Sequence, residues 1–196
     1  IVFSLDDLAA GRIGEIRLEN PRIRIAPGWS GVLPSPPENT GSAMLKIRRI
    51  VCDYGEAIYD AGEGASVEAK FCFDWRDFES KSASNFGLTL WDARGVASPG
   101  ENPFFVLDLV DLRGVPRDLF QTNELGSVDI HGGFLRIGEG FEKFGAVLRK
   151  GSADGPSKKW KLGALEIRSV RARIGDYPLE VSSDVSFNIN TTLRDI

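Results

Sequence analysis

The sequence predicts an all-β fold of about ten to twelve antiparallel strands, in either a curved open sheet or a two-sheet sandwich, with little helix. Short runs of alternating apolar and polar residues recur along the chain, with Gly, Pro, Asn and Ser between them. Helical periodicity is nearly absent. Of the 196 residues, 42% are hydrophobic and 27% are charged, which is typical of a folded domain that buries a core.

In the first half of the chain, each predicted strand is an alternating run that ends at a turn signal. The first two runs stand on either side of Asn20-Pro21, and a Pro- and Gly-rich loop at residues 26–42 follows them. The predicted strands are Ile16–Leu18, Arg22–Ala26, Leu45–Tyr54, Ser66–Asp74, Phe86–Asp92 and Phe104–Leu109. Helical turns are expected at Ser4–Ala10, where SLDD is similar to a capping box, and around Arg117–Asn123.

In the second half, the alternation continues on both sides of a second loop at residues 151–159. The strands predicted there are Val128–Ile130, Phe134–Ile137, Ala146–Arg149, Ala164–Ile174 and Leu179–Leu193. The length suits a single β-rich domain over residues 1–196, either by itself or as a segment of a longer repeat protein.

The charge balance and the residue supply exclude several classes of function. A net charge of −4 and a pI near 5.2 count against nucleic acid as a partner. No apolar run approaches the roughly 18 residues that cross a bilayer, and the start carries acids in place of a basic leader. We therefore expect neither a membrane span nor a signal peptide in this sequence.

Cysteine and histidine are too scarce for most catalytic or metal chemistry. The chain has two cysteines, Cys52 and Cys72, and one histidine, His131, so a zinc site would need all of them. The cysteines could form a disulfide between neighbouring strands or remain two buried thiols. His131 lies at a predicted turn with no acid or nucleophile at a recognisable spacing. We expect no enzyme activity, no cofactor and no metal.

An internal repeat is the most specific feature of the sequence. Ile13–Ile25 aligns with Leu162–Ile174 without a gap, and Leu125–Ile137 follows the same template. Met44–Tyr54 follows it too, without the leading glycine. In each copy the apolar phase changes in the middle of the segment. A phase change in a strand indicates a bulge, a corner or a tight turn between two short strands.

The repeat resembles the β segments of AsmA-like proteins, the group of bacterial envelope proteins that includes TamB and the YhdP and YdbH type. The resemblance is carried by GEIRLENPRIRI, VDIHGGFLRI and the segment from KKWKLGALEIRSVRARI to the end, and it covers about 70 of the 196 residues. It implies a twisted open sheet whose concave apolar face holds lipid acyl chains. It also implies a place in the bacterial periplasm, peripheral to the inner membrane or anchored there through a segment outside this sequence.

The expected function is therefore a non-enzymatic lipid-binding or lipid-conducting groove. Strand alternation places isoleucines and arginines of the repeat on opposite faces. The candidate groove residues are Ile16, Leu18, Ile23, Ile25, Leu165, Ile167 and Ile174. The candidate contacts to lipid headgroups, or plain surface residues, are Arg22, Arg24, Arg171 and Arg173. The expected partners are phospholipid or another apolar ligand, and a protein partner at an exposed sheet edge.

Two other interpretations remain open at this point. An ordinary sandwich would also alternate, and its tryptophans (Trp29, Trp75, Trp91 and Trp160) could bind a glycan or a protein partner. The acidic clusters Asp74–Glu79 and Asp108–Asp118 could supply a glycosidase, although pairing with nearby arginines is the better explanation for them.

Overall fold

The computed structural model describes residues 12–26, 46–76, 86–115, 118, 124–151, 160–175 and 180–193. These residues form eleven strands and one helix of more than one residue. The strands are β1 (Arg12–Ile13), β2 (Ile16–Leu18), β3 (Arg22–Ile25), β4 (Lys46–Ile47), β5 (Arg49–Gly62), β6 (Ala65–Arg76), β7 (Phe86–Val96), β8 (Phe105–Gly114), β9 (Glu124–Ile137), β10 (Trp160–Ile174) and β11 (Glu180–Leu193). The helix α1 (Glu139–Gly151) lies between β9 and β10.

Nine of these strands form one open sheet, in the order β11-β10-β9-β8-β7-β6-β5-β2, and β3 also pairs with β5. β1 and β4 form a separate two-stranded pair. The predicted all-β class is thus confirmed, and of the two predicted architectures, a curved open sheet or a two-sheet sandwich, the described residues form an open sheet, which is mixed and not wholly antiparallel. Strands β5 to β9 form an antiparallel meander, as expected for alternating runs joined by short connections.

The sheet is mixed because it contains parallel pairs on both sides of the meander. Strands β2 and β3 run parallel to β5 in one constant register, with Ile16 beside Ile50 and Ile25 beside Tyr59. Strands β9 and β10 are also parallel. Parallel neighbours require the chain to return to the starting end of the sheet between β3 and β5 and again between β9 and β10.

The sequence repeat corresponds to the second of these parallel pairs. Residues Leu125–Ile137 lie directly beside Leu162–Ile174, with Leu125 opposite Leu162 and Ile137 opposite Ile174. This register is the one in which the two sequences align. The matching copy Ile13–Ile25 lies in the other parallel arrangement, beside β5.

The change of apolar phase is caused by bulges near the middle of the strands. Asn20, Asp92, Gly132 and Ser169 have φ values of 45°, 52°, 69° and 55°, and each stands where the apolar alternation changes from one parity to the other. Asn, Asp and Gly tolerate this left-handed region better than other residues do. Bulges bend a strand and increase its twist, so this line of bulges curves the sheet across most of its width.

Several predicted elements need correction. The predicted strand Ala146–Arg149 is wrong, because these residues belong to α1. Val128–Ile130 and Phe134–Ile137 are parts of the single strand β9, which passes through Gly132-Gly133 by a bulge.

Other predictions lie wholly or mostly outside the described residues. The turn at Ser4–Ala10 is outside them, and of the turn at Arg117–Asn123 only Asp118 is described, as helical. The loop at 26–42 is described only at Ala26, and the loop at 151–159 only at Gly151, which ends α1.

Candidate functional site

One face of the sheet is apolar in every row that crosses it. Residues that pair across neighbouring strands point to the same face, so each row can be followed from strand to strand. One row consists of Leu18, Cys52, Phe73, Leu88, Leu112, Val128 and Leu165. The next consists of Gly55, Phe71, Leu90, Val110, Ile130 and Ile167. Beyond the bulges a third row consists of Ile25, Tyr59, Val67, Gly95, Phe105, Leu135 and Ala172. We call this surface the apolar face; none of its three rows contains a charged residue.

The apolar face is only half-buried over most of its area. In the first row, only Cys52 is fully buried, and the other six side chains keep part of their surface accessible. The apolar face of a sheet is normally covered by a second layer of structure. Within the described part of the chain, only α1 covers this face. An accessible apolar surface of this kind typically marks a binding site.

Helix α1 covers one end of the apolar face. It contacts both β5 and β9, which lie four strands apart. Its 13 residues give a length of about 20 Å, enough to span four strand spacings of about 4.8 Å each. Val147 packs there against Ala61 and Ala65, and all three are buried. The helix therefore covers this end between β5 and β9, and no other element among the described residues covers the rest of the face.

Phenylalanine rings hold the beginning of α1 in place. The ring of Phe104, just before β8, lies 5.0 Å from that of Phe144 and 6.1 Å from that of Phe141, measured between ring centroids. Phe104 itself is buried. Gly140 lies close to this ring as well, since a β-carbon there would make an ordinary van der Waals contact of 3.4 Å with the Cβ of Phe104.

The opposite face is polar and carries most of the ion pairs. Arg49 donates hydrogen bonds of 2.8 Å to both carboxylate oxygens of Asp74 and another of 2.8 Å to Glu15. Arg76 donates to Asp74 as well. The hydrogen bonds from Arg49 and then from Arg76 hold the pKa of Asp74 well below its usual range. The hydrogen bond between Arg49 and Asp74 in turn raises the pKa of Arg49. Similar pairs elsewhere on this face join Lys70 to Asp92 at 2.6 Å and Arg24 to Asp60 at 2.9 Å.

The groove residues predicted from the sequence all lie on the apolar face. They are Ile16, Leu18, Ile23, Ile25, Leu165, Ile167 and Ile174. Ile23 and Ile174 are the exposed members, and the others are half-buried. These residues are far apart in the sequence, and the structure places them at two edges of the same surface.

The candidate basic residues Arg22, Arg24, Arg171 and Arg173 lie on the opposite face. Arg22 is 3.1 Å from Glu56, and Arg24 pairs with Asp60. A role for these arginines at the headgroup of a lipid would require the headgroup to reach around the sheet edge.

The middle strands supply the larger part of the apolar face, and sequence comparison with the repeat missed them. Phe71, Phe73, Leu88, Leu90 and Leu112 all belong to β6, β7 and β8. The signal was present for four of them as strict alternation in AKFCFDW and FGLTLWD, which places Phe71, Phe73, Leu88 and Leu90 on one side of their strands.

The two cysteines lie on opposite faces of the sheet. Cys52 belongs to the apolar face, and Cys72 pairs with Thr89 on the other side. Both are free thiols, and burial raises the pKa of the Cys52 thiol. Because side chains on opposite faces point away from each other, these two cannot bridge within this sheet.

The described tryptophans lie within strands, and not in loops. Trp75 is on the apolar face, 5.3 Å from the ring of Phe86, and Trp91 is on the opposite face, 5.9 Å from the ring of Tyr54. Trp29 lies outside the described residues, as does the side chain of Trp160.

The remaining residues that were candidates for catalysis or metal binding have structural positions in the sheet. His131 lies inside β9 opposite Leu109, so its predicted position at a turn is wrong. Asp111 accepts a hydrogen bond of 2.5 Å from the Thr89 hydroxyl. In the described ranges, no three His, Cys, Asp or Glu residues are grouped as they would be to hold a metal ion. No helix in those ranges is long and apolar enough to cross a membrane.

Comparison with known proteins gives no match, either to a family model, to a curated protein or to a solved structure.

Proposed function

We propose that this chain is a non-enzymatic lipid-binding protein whose apolar face holds the acyl chains of a phospholipid or another apolar ligand. One observation carries the proposal: rows of apolar side chains run across as many as seven strands without a charge, and most of these side chains are only half-buried. A surface of this composition loses free energy when it is covered by hydrocarbon, at about 0.8 kcal/mol for each buried methylene group.

The dimensions of the apolar face suit acyl chains. From β2 to β10 the rows cross six strand spacings, or about 29 Å at about 4.8 Å each. A bilayer's hydrocarbon core, two acyl chains thick, is about 30 Å across. A single acyl chain laid across the strands would therefore cover about half of one row. Because the rows reach β2 at one edge and run through β10 at the other side, we propose that lipid can also move along them.

The proposal extends to the family and the location. The repeat resembles AsmA-like proteins, and we propose that this chain works like them at the bacterial cell envelope, in the periplasm and next to the inner membrane. Fractionation of cells that express the protein tests this location. Recovery in the cytoplasmic fraction would contradict it.

Native mass spectrometry of the gently purified protein, with organic extraction of bound lipid, tests the proposed function. We expect stoichiometric phospholipid on the wild type. We expect Ile130→Asp and Ile167→Asp to remove it, because each places a charge on the apolar face, Ile130 within it and Ile167 near its edge. Ala69 pairs with Ala57, the register partner of Ile23 on the apolar face, so Ala69→Trp, which fills part of the face without adding charge, should also remove it.

Leu109→Asp is the matched control, because Leu109 is also half-buried and apolar but lies on the opposite face. It should keep its lipid. Circular dichroism shows whether each variant is folded. A folded wild type that carries no lipid, and takes up none when lipid is supplied, would contradict the proposal.

A second candidate function is recognition of a glycan or a protein partner. Tyr54 is exposed on the polar face beside Trp91, and such an aromatic pair can stack on a sugar ring or pack on a protein. Trp91→Ala would abolish that binding in glycan-array and pull-down measurements and would leave lipid binding unchanged. The open sheet edge at β2 and β3 is a further candidate contact for a protein partner.

A further inference from the structure

We propose that the junction of β9, β10 and α1 is a membrane-docking tip, at which the apolar face receives lipid from a bilayer surface. This inference rests on the proposed function and names the partner from which the apolar face would be loaded. The tip is defined by Ile137, Phe141 and Ile174.

Large apolar side chains that are exposed to solvent are concentrated at this junction. Ile137 is 37% exposed, Phe141 43% and Ile174 51%. Ile137 and Ile174 are register partners at the ends of two parallel strands. Phe141 follows in the first turn of α1, where Glu142 N–H donates to the Gly138 carbonyl. Three of the six exposed large apolar residues in the described part of the chain are therefore at one corner of the sheet.

The tip is continuous with the apolar face. Ile137 and Leu135 point to the same side of β9, and Ile174 and Ala172 do so in β10. Phe141 contacts the buried Phe104, which also holds Phe144 in the covered end. An acyl chain that leaves a bilayer at the tip would meet apolar side chains from the first contact onward.

The charges around the tip are balanced. Lys143 lies 2.9 Å from Glu139 and 3.9 Å from Glu101, so its charge is already compensated. Arg136 and its register partner Arg173 bring the positive charges near the tip to three, equal in number to Glu101, Glu139 and Glu142. Docking would therefore depend on insertion of apolar side chains and only weakly on anionic lipid or on salt.

The size of the tip favours a bilayer over a protein partner. Three side chains expose far less surface area than the roughly 800 Å² that each partner contributes to a standard protein interface. Reversible attachment to a membrane needs less, since even one myristoyl chain gives a binding constant of about 10⁴ M⁻¹. The occupant of this surface is thus a lipid bilayer, contacted weakly and reversibly.

Flotation of the purified protein with phosphatidylcholine vesicles tests the proposal. We expect the wild type to float with the vesicles, with little change on adding phosphatidylglycerol or raising the salt concentration. Ile137→Asp and Phe141→Asp should each lower the vesicle partition coefficient about tenfold, because a carboxylate resists insertion into hydrocarbon. Ile58→Asp is the matched control: Ile58 is also 37% exposed but lies on the polar face, so its variant should bind vesicles like the wild type.

A second delivery route separates this proposal from the lipid-binding proposal. Lipid supplied from cyclodextrin needs no bilayer contact, so tip variants should still bind it, whereas Ile130→Asp should float with vesicles yet bind no lipid. A wild type that takes lipid from cyclodextrin but never floats would overturn the docking tip alone. Flotation by a protein that binds no lipid from either source would overturn the lipid-binding function.

Two further outcomes would also overturn the docking tip. One is flotation that requires phosphatidylglycerol and disappears in high salt, which would mean electrostatic attachment elsewhere. The other is a dimer in light scattering that Ile137→Asp converts to a monomer, which would mean that a second copy covers the tip.

Discussion

The two ends of the apolar face differ in how they are covered. At one end, Val147 of α1 closes over Ala61 and Ala65, and Phe104 is buried beneath two more rings of the helix. Across the middle, no covering layer lies among the described residues, and most side chains are half-buried, although Cys52, Phe71 and Val110 are buried. The difference shows that the same kind of apolar surface is buried where a helix packs on it and stays partly accessible where no described residue covers it.

The largest effect should come from the covered end. Phe104→Ala should lower the free energy of unfolding by about 3–5 kcal/mol, because it removes a buried ring and leaves a cavity under α1. Phe73→Ala, in the open part of the same face, should lower it by only about 1–2 kcal/mol, because that ring is half-exposed already. Urea unfolding measures both. Equal losses would mean that the middle rows are as well covered as the end.

Bound phospholipid should stabilise the folded protein through the open part of the apolar face, and this stabilisation should not depend on the covered end. With phospholipid at about 100 times its dissociation constant, the wild type should gain about 2.7 kcal/mol of stability. Phe104→Ala should show the same gain from its lower baseline, while Ile130→Asp should show none. Thermal unfolding with and without lipid measures this. A gain that disappears in Phe104→Ala would place the ligand under the helix.

A substitution at Gly133 tests the bulges that lie between the covered end and the open part of the apolar face. This residue has a φ of 130°, and a β-carbon there would lie 2.4 Å from the Val106 carbonyl oxygen, so Gly133→Ala should cost about 2 kcal/mol in unfolding free energy. Gly87→Ala is the control, since a β-carbon at Gly87 meets nothing within 4 Å. Its stability should stay within about 0.5 kcal/mol of the wild type. If both variants behave alike, the bulge is not a required feature of the bend.

The smallest effect should come from the polar face. Asp74→Asn should cost about 1 kcal/mol at neutral pH, because it removes ion pairs that are partly exposed to solvent. The folded-state pKa of Asp74 is depressed, so its stabilisation is fully present above the unfolded pKa of about 3.9 and is lost as pH falls through the folded-state pKa. The two proteins should therefore converge in urea unfolding as the pH is lowered below about 4. A constant difference down to pH 2 would argue against this ion pair as the cause.

Much of the candidate site could be predicted from local sequence. Alternation places Ile16 and Leu18, and likewise Leu165 and Ile167, on one side of their strands before any fold is known. The change of phase between Leu18 and Ile23 also predicts a local interruption. Helix α1 was missed because the run Ala146–Arg149 was interpreted as a short strand and four glycines, at 138, 140, 145 and 151, counted against a helix.

The sequence by itself determined the all-β class, the amphipathic character of each strand and the repeated segments, because side-chain alternation is a local property of an extended chain. Only the tertiary structure decided that β9 and β10 are parallel, that bulges carry the phase change and that α1 returns to cover β5. Those features depend on contacts between residues far apart in the chain, which no local pattern specifies. Whether an apolar face is sealed or open is likewise decided by what packs on it.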